Sequence, residues 1–426
     1  MLGLGAMVGT GVFVSIGIAA GAAGSAVVFA IAFAALIAAC NALSSAQLAA
    51  SHAVSGGTYE YGYRYLNPWL GFTAGWMFLC AKTASAATAA LGFAGYLSRL
   101  IGVDASAAIT GLAVGAVALV TGLVLLGIKR SSAMNAVIVS ITLAALGLFV
   151  LAGLRSLVAD GPGDLLPLFP AEGDGPGGFL YATALMFVAY TGYARIATLG
   201  EEIKDPRSNI PRAIIATLIV AAVVYVAVAI VALAALGPQQ LAAVTGEAAT
   251  PLEAAARRLG SPWLATAVAV GSVTAMLGVL LNLILGLSRV AVAMGRRSDL
   301  PPAFARLGRT GTPSAAVLGT GAVTAVLAFI GSVETSWALS AFTVLVYYAL
   351  TNLAALRLPA EARLYPRAVA VAGLVACSFL AFWVPPKIWL TGLALLGAGL
   401  VWHTLAHRLA HRLWLPHKGR LERPRK

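Results

Sequence analysis

The chain has 426 residues, of which 60% are hydrophobic and only 10% are charged, and its mean hydropathy is +0.91. Soluble domains carry about 25% charged residues, so this composition excludes a soluble enzyme or binding module and indicates a polytopic membrane protein. The net charge of +13 does not predict nucleic-acid binding. Most of the lysines and arginines fall in alternate loops or in the C-terminal tail, as the positive-inside rule requires of a membrane protein.

Twelve apolar segments are long enough to cross a bilayer, which takes about 17–25 helical residues. The first segment lacks a basic leader and is longer than the apolar region of a signal peptide, so it is predicted to be a retained helix. If the chain starts inside, the basic loops alternate correctly and both termini are cytoplasmic. The predicted spans are 2–22, 25–50, 69–98, 107–128, 133–156, 178–200, 211–237, 262–295, 314–333, 336–357, 367–385 and 388–406.

Two glycine-containing sequences interrupt apolar spans at corresponding places of the two halves. Gly9-Thr10-Gly11 lies in span 1 and Thr191-Gly192-Tyr193 lies in span 6. Interrupted helices free backbone groups that lipid cannot satisfy, so such breaks persist only where they line a cavity or bind something. A matching pair of breaks indicates the binding site of a secondary transporter. The alternative, in which these glycines only allow close helix packing, applies to many single membrane helices.

The order of the spans predicts an inverted repeat. Helices 1–5 occupy residues 1–157 and start inside, whereas helices 6–10 occupy residues 178–358 and start outside, so the halves have opposite sense. Helices 11 and 12 occupy residues 366–406, and a basic tail at 407–426 is expected to lie on the anionic inner leaflet. The periodic histidines His403, His407 and His411 are interpreted as part of a basic amphipathic helix rather than as a metal site.

Four motifs resemble those of amino-acid permeases of the amino acid–polyamine–organocation superfamily. They occur in the family's order and span most of the chain, which chance would not produce. The resemblance implies an all-α fold of twelve transmembrane helices with a five-plus-five inverted repeat and broken helices 1 and 6, as in LeuT-like transporters. The motifs are residues 5–13, 55–61 followed by 75–76, 187–193 followed by 201–213, and 288–301.

The breaks suit the two charges of an amino acid. Free N–H groups after Gly11, at the positive end of a half-helix, are expected to bind the carboxylate, and carbonyls left by the two breaks are expected to bind the ammonium. The family has an aromatic gate near the second break, and Tyr190 is either that gate or a packing residue. The predicted substrate-binding residues are Met7, Val8, Gly9, Thr10, Gly11, Phe187, Ala189, Tyr190, Gly192 and Tyr193.

Lys82 and Arg195 are basic residues inside predicted spans, and such groups are functional candidates. Lys82 is either a counter-charge or proton-exchanging group, or a structural amine bonded to carbonyls or to Ser85. Arg195 either contacts substrate or pairs with Glu202, seven residues on. Some proton-coupled relatives carry a lysine in helix 5 where this chain has Thr142. Two alternatives follow: Lys82 takes over the role of that lysine in proton coupling, or Thr142 and Ser288 help to hold sodium.

Every aspartate and glutamate falls in a loop or at a helix end, so a cationic side chain would find no buried carboxylate to pair with it. We therefore expect a neutral amino acid before an acidic one, and a cationic one last. The predicted protein is a secondary transporter with no cofactor, with H+ favoured over Na+ as the coupling ion, in a bacterial inner membrane. An exchanger of the same fold and a transport-dead sensor remain open, whereas no enzyme motif occurs within the spans.

Overall fold

The computed structural model describes residues 3–52, 56–103, 105–127, 132–161, 175–194, 206–308 and 311–413. Within these ranges the regular structure is helical, and eight helices are long and apolar enough to cross a membrane. Two further apolar helices, over Ser314–Ile330 and Arg367–Trp383, are shorter. The prediction of an all-α polytopic membrane protein is confirmed. The inverted repeat and the twelve-span arrangement stay predictions.

The first half of the chain begins with a short helix and a break. A π-helical turn over Gly11–Ser15 separates α1 from α2. A corner at Gly24, where φ is +59°, then separates α2 from α3. The helices are α1 (Leu4–Met7), α2 (Ile16–Ala23), α3 (Val27–Ser51), α4 (Thr58–Tyr65), α5 (Pro68–Ile101), α6 (Ser106–Leu125) and α7 (Ser132–Asp160).

The second half again starts with an interrupted helix, because α8 passes into a 3-10 turn at Thr191–Tyr193. Further on, α9 is interrupted at its predicted end, residue 237, because Gly237 has a non-helical backbone with φ of +71° and directly precedes Pro238. A second helical stretch then runs to Ala248. The helices are α8 (Gly175–Tyr190), α9 (Pro206–Ala248), α10 (Pro251–Arg258), α11 (Pro262–Arg296), α12 (Ser314–Ile330), α13 (Val333–Leu356), α14 (Arg367–Leu380) and α15 (Pro386–Leu413).

Local sequence signals explain the ends of the central helix α5. The Asn67 side chain accepts a hydrogen bond from the Leu70 amide at 2.9 Å, and Pro68 takes the first helical position, where its missing N–H costs nothing. Gly102 ends the helix in the left-handed conformation, with φ of +71°. The helix is 34 residues long and packs on α11 and α13.

Burial separates central from peripheral helices. In the most apolar window of α5, 83% of the residues are buried, against 17% in α15. Exposed apolar side chains such as Leu119, Val158 and Phe329 lie on outward faces, where a bilayer would cover them. The core thus lies around α5, α11 and α13, and the two interrupted helices pack inside that frame.

The short helix α4, in a predicted loop, is anchored by a buried carboxylate. The hydroxyls of Tyr59 and Tyr63 each donate to Oδ2 of Asp299 at 2.7 Å, and His403 Nδ1 lies 3.0 Å from Oδ1. Burial, and then the Asp299 carboxylate, raise the pKa of both tyrosine hydroxyls well above their ordinary range, so they remain donors. Asp299 therefore joins α4, the end of α11 and α15.

This contact corrects the interpretation of His403. Its side chain is buried and stacks on Phe72, with ring centroids 4.4 Å apart, so it does not belong to a surface stripe. The four-residue spacing of the histidines suggested that all three share one exposed helix face, but the contact with Asp299 places the His403 side chain in the interior. The side chains of His407 and His411 and the tail after residue 413 lie outside the described residues.

We predict that Asp299→Asn lowers the free energy of unfolding by about 1–3 kcal/mol, because it weakens a buried set of charge-assisted hydrogen bonds. The measurement is the apparent melting temperature of purified protein in detergent. Glu334→Gln, at an exposed position in the first turn of α13, is the matched control and should change stability by less than about 0.5 kcal/mol. Equal effects of the two variants would contradict the anchoring role of Asp299.

Candidate functional site

The first break is a real interruption of the backbone. Helix α1 ends at Met7, and Val8 takes an extended conformation with φ −77° and ψ 93°. Beyond the break, the amides of Val12 and Phe13 both donate to the carbonyl of Gly9, at 3.0 and 3.1 Å. The chain then continues as a π-helical turn, a distortion that is frequent at functional sites.

The second break lies at the end of α8, where the helix tightens into a 3-10 turn at Thr191–Tyr193. Side chains donate hydrogen bonds to carbonyls near this helix end, because buried backbone groups need hydrogen-bond partners. Trp337 Nε1 donates to Leu185 O at 3.0 Å, Thr191 Oγ1 to Val188 O at 2.8 Å, Tyr225 Oη to Ala189 O at 3.2 Å, and Tyr348 Oη to Thr191 O at 3.4 Å.

The two breaks touch each other, and a glycine from each makes the contact. A Cβ atom on Gly11 would lie 2.9 Å from Ala189 Cα, and one on Gly192 would lie 2.7 Å from Met7 N. Real Cβ atoms essentially never come so close to backbone atoms. The glycines therefore allow a close approach of the two interrupted helices to each other.

A cavity of about 140 Å³ lies beside this crossing. One water needs roughly 10–15 Å³ on the same measure, so the space is sufficient for a small solute. Its walls come from α1, α5, α8, α11, α13 and the residues around both breaks. The lining residues are Ala6, Met7, Thr10, Gly11, Gly56, Gly57, Phe78, Lys82, Ser85, Val188, Ala189, Thr191, Gly192, Ala194, Val279, Asn282, Leu283, Gly286, Arg289, Val290, Trp337 and Tyr347.

Two polar side chains distinguish the cavity from an ordinary gap. The Thr10 hydroxyl is buried, and within the described ranges it has no hydrogen-bond partner. Lys82 is also buried, and its Nζ donates to Thr191 Oγ1 at 2.8 Å. Because an unsatisfied buried hydroxyl costs free energy, Thr10 is a candidate partner for a polar group in this cavity.

The charge of the cavity wall is positive. Lys82 and Arg289 line it, and none of its lining residues is an aspartate or glutamate. Arg289 is on α11, in the motif that closes that helix, and it is exposed at the open part of the wall. An additional cation in this space would meet two positive charges and no compensating carboxylate among these residues.

Six of the predicted site residues line the cavity, and two more lie beside it. Val8 and Gly9 are buried beside it, and a Cβ on Gly9 would meet the Val279 side chain of α11. The six lining residues are Met7, Thr10, Gly11, Lys82, Ala189 and Gly192.

The predicted aromatic residues pack outside the cavity. Tyr190 stacks against Tyr225 with ring centroids 5.1 Å apart, and its hydroxyl donates to Ile31 O at 3.3 Å. Phe187 and Tyr193 both pack on Tyr348, each with centroids 5.6 Å apart. In this conformation the packing interpretation of Tyr190 accounts for its position.

The remaining predicted residues are not brought together in this conformation. Thr142 donates to Ile138 O at 2.8 Å and Ser288 donates to Leu285 O at 3.0 Å, so each hydroxyl bonds within its own helix. Neither lines the cavity. Arg195, with its predicted partner Glu202, lies outside the described residues.

Sequence reasoning missed several residues of the wall. Asn282 and Arg289 carry a detectable signal, because each is a polar residue within the apolar stretch of α11. Thr191 was inside the second break but was not selected. Phe78 and Tyr347 carry no such signal, since aromatic residues in membrane helices are usually packing residues.

Comparison with known proteins agrees with this architecture. Residues 1–403 match the family described as Amino acid permease. The chain belongs to the amino acid permease family. An uncharacterized transporter of Mycobacterium tuberculosis is 39% identical over 94% of this chain and 88% of its own length.

Two more distant relatives have assigned substrates. The branched-chain amino acid permease BcaP of Bacillus subtilis is 28% identical over 72% of this chain and 68% of its own length. The mitochondrial cationic amino acid transporter 3 of Arabidopsis thaliana is 28% identical over 78% of this chain and 56% of its own length. The amino acid permease family thus includes members named for different substrate charges.

We predict that Gly11→Ala reduces transport by about 10-fold or more, because the new methyl group would force the two breaks apart. The measurement is uptake by reconstituted protein of whichever solute the wild type carries best. Gly115→Ala is the control, since Gly115 is exposed in α6 and nothing lies within 4 Å of an added Cβ. Full transport by Gly11→Ala would show that the close approach is not required.

Proposed function

We propose that this protein is a secondary transporter that moves amino acids across the membrane by alternating access. The observation that carries the proposal is the meeting of two interrupted helices at a cavity lined by Thr10, whose buried hydroxyl has no partner among the described residues. Membership of the amino acid permease family supports the same substrate class. The orientation with both termini in the cytoplasm is part of this proposal.

The backbone of the site suits the constant part of an amino acid. The helix that resumes at Gly11 begins with a cavity-lining residue, and the positive N-terminal end of a helix favours a carboxylate. The carbonyls of Met7 and Ala189 belong to cavity-lining residues at the other side of the two breaks, and they favour an ammonium group. Backbone groups thus bind both charges of the substrate, and side chains select among amino acids.

The charge of the wall sets the order of substrates that we propose. With Lys82 and Arg289 in the lining, a distal cation on the substrate would be repelled and unpaired. A neutral amino acid avoids this cost, and an acidic one is the second choice. Among the relatives, BcaP is named for branched-chain amino acids, which agrees with a neutral substrate. The Arabidopsis relative is named for cationic amino acids, which do not fit the positive wall of this cavity.

Lys82 is the group that we propose for coupling to protons. Its amine contacts Thr191 within the second break, so a change in its charge would act directly on the interrupted helix. H+ is favoured over Na+ because neither Thr142 nor Ser288, the hydroxyls considered for sodium, lines the cavity. An exchanger of the same fold uses the same site, and a transport-dead sensor would bind amino acids without moving them.

Counterflow uptake into proteoliposomes tests this function. Neutral, acidic and basic amino acids are offered at two external pH values, and a neutral amino acid should accumulate fastest. Specific lysine uptake that excess arginine inhibits would contradict the charge argument. Binding of an amino acid without any counterflow, by protein that is still folded, would instead identify a sensor.

We predict that Lys82→Ala removes the dependence of uptake on an inwardly directed proton gradient. In the wild type, uptake should be faster with an acidic exterior, and the variant should transport at similar rates with and without the gradient. Lys387→Ala is the matched control, because Lys387 is exposed at the start of α15 and should leave the response intact. An unchanged response in Lys82→Ala would assign the coupling to another group.

A further inference from the structure

Tyr225 on α9 is the residue that connects the two breaks. Its hydroxyl lies 2.8 Å from Met7 O and 3.2 Å from Ala189 O. These carbonyls belong to different halves of the chain, yet one side chain reaches both. Tyr225 is fully buried and does not itself line the cavity.

Both carbonyls have lost a helical partner. In an uninterrupted helix, Met7 O would accept from the Gly11 amide and Ala189 O from the Tyr193 amide. The extended Val8 removes the first partner, and the 3-10 turn at Thr191 changes the second. A hydroxyl has one hydrogen, so Tyr225 can donate to only one of these acceptors at a time.

We infer that Tyr225 is a positioning residue that ties the first break to the second and so fixes the spacing of the two carbonyls offered to the substrate ammonium. Each carbonyl oxygen has two lone pairs, so it can accept from Tyr225 and from a ligand in the cavity together. The inference rests on the proposed function, and it adds a residue outside the cavity that determines affinity through Met7 and Ala189.

The surrounding contacts hold the hydroxyl in place. The Tyr225 ring packs against Tyr190, and a Cβ on Gly11 would lie 3.6 Å from the Tyr225 hydroxyl. Helix α9 also packs on α2 and α3, next to the first break. A movement of α9 would therefore act on both interrupted helices at once.

Tyr225→Phe tests the inference, because it removes the hydroxyl and keeps the ring. We expect the KM for uptake to rise about five-fold with little change in maximal rate. The reason is that the variant loses the hydrogen bond from Tyr225 to the carbonyls that accept from the substrate ammonium. Tyr96→Phe is the matched control. Its hydroxyl is equally buried, donates to Phe13 O at 2.8 Å and accepts from the Leu252 amide at 3.3 Å, so of the two interrupted helices it bonds only to the first.

Hydrogen–deuterium exchange in nanodiscs supplies a second readout that needs no substrate. Tyr225→Phe should speed amide exchange in both 4–15 and 185–194, whereas Tyr96→Phe should not affect the second segment. If the wild type carries no amino acid, the proposed function fails and the exchange data still decide whether Tyr225 joins the breaks. A KM within two-fold of wild type, an equal rise in Tyr96→Phe, or unchanged exchange at either break would overturn the inference.

Discussion

The structure depends on one constraint: a helix that is interrupted inside a membrane protein must find partners for the backbone groups it releases. Lipid offers none, so the protein supplies them from neighbouring helices. Around the second break, Trp337, Tyr225 and Tyr348 each donate to a carbonyl near the end of α8. These three aromatic residues near the site are therefore hydrogen-bond donors to the backbone as well as packing residues.

The same constraint explains why the breaks occur as a pair. Gly11 faces Ala189 and Gly192 faces Met7, so each interrupted helix lies in a gap left by the other. A glycine at only one break would leave the other helix with a side chain in the contact. The cavity lies beside this crossing, and side chains of α5 and α11 complete its wall.

Much of the fold could be predicted from the sequence, since apolar length and basic loops are strong signals for membrane spans. The departures have local causes. Helix α4 was assigned to a loop because its tyrosines are stabilised by Asp299, more than 230 residues away. The interruption of α9 at Gly237 agrees with the predicted end of that span, because a glycine followed by a proline usually ends a helix; the helical stretch from Pro238 to Ala248 was not predicted. His403 was placed on a surface because periodicity does not reveal a distant carboxylate.

The candidate site was predictable to the extent that its chemistry lies in the backbone. Gly9, Thr10 and Gly11 could be selected because the residue types themselves permit a break, and the same holds for Gly192. Tyr225 could not be selected, since a tyrosine in an alanine- and valine-rich helix looks like any interfacial or packing aromatic. Its role exists only where Met7 and Ala189 come together, 182 residues apart in sequence. A backbone break is thus visible in a motif, whereas a contact between two motifs becomes visible only in three dimensions.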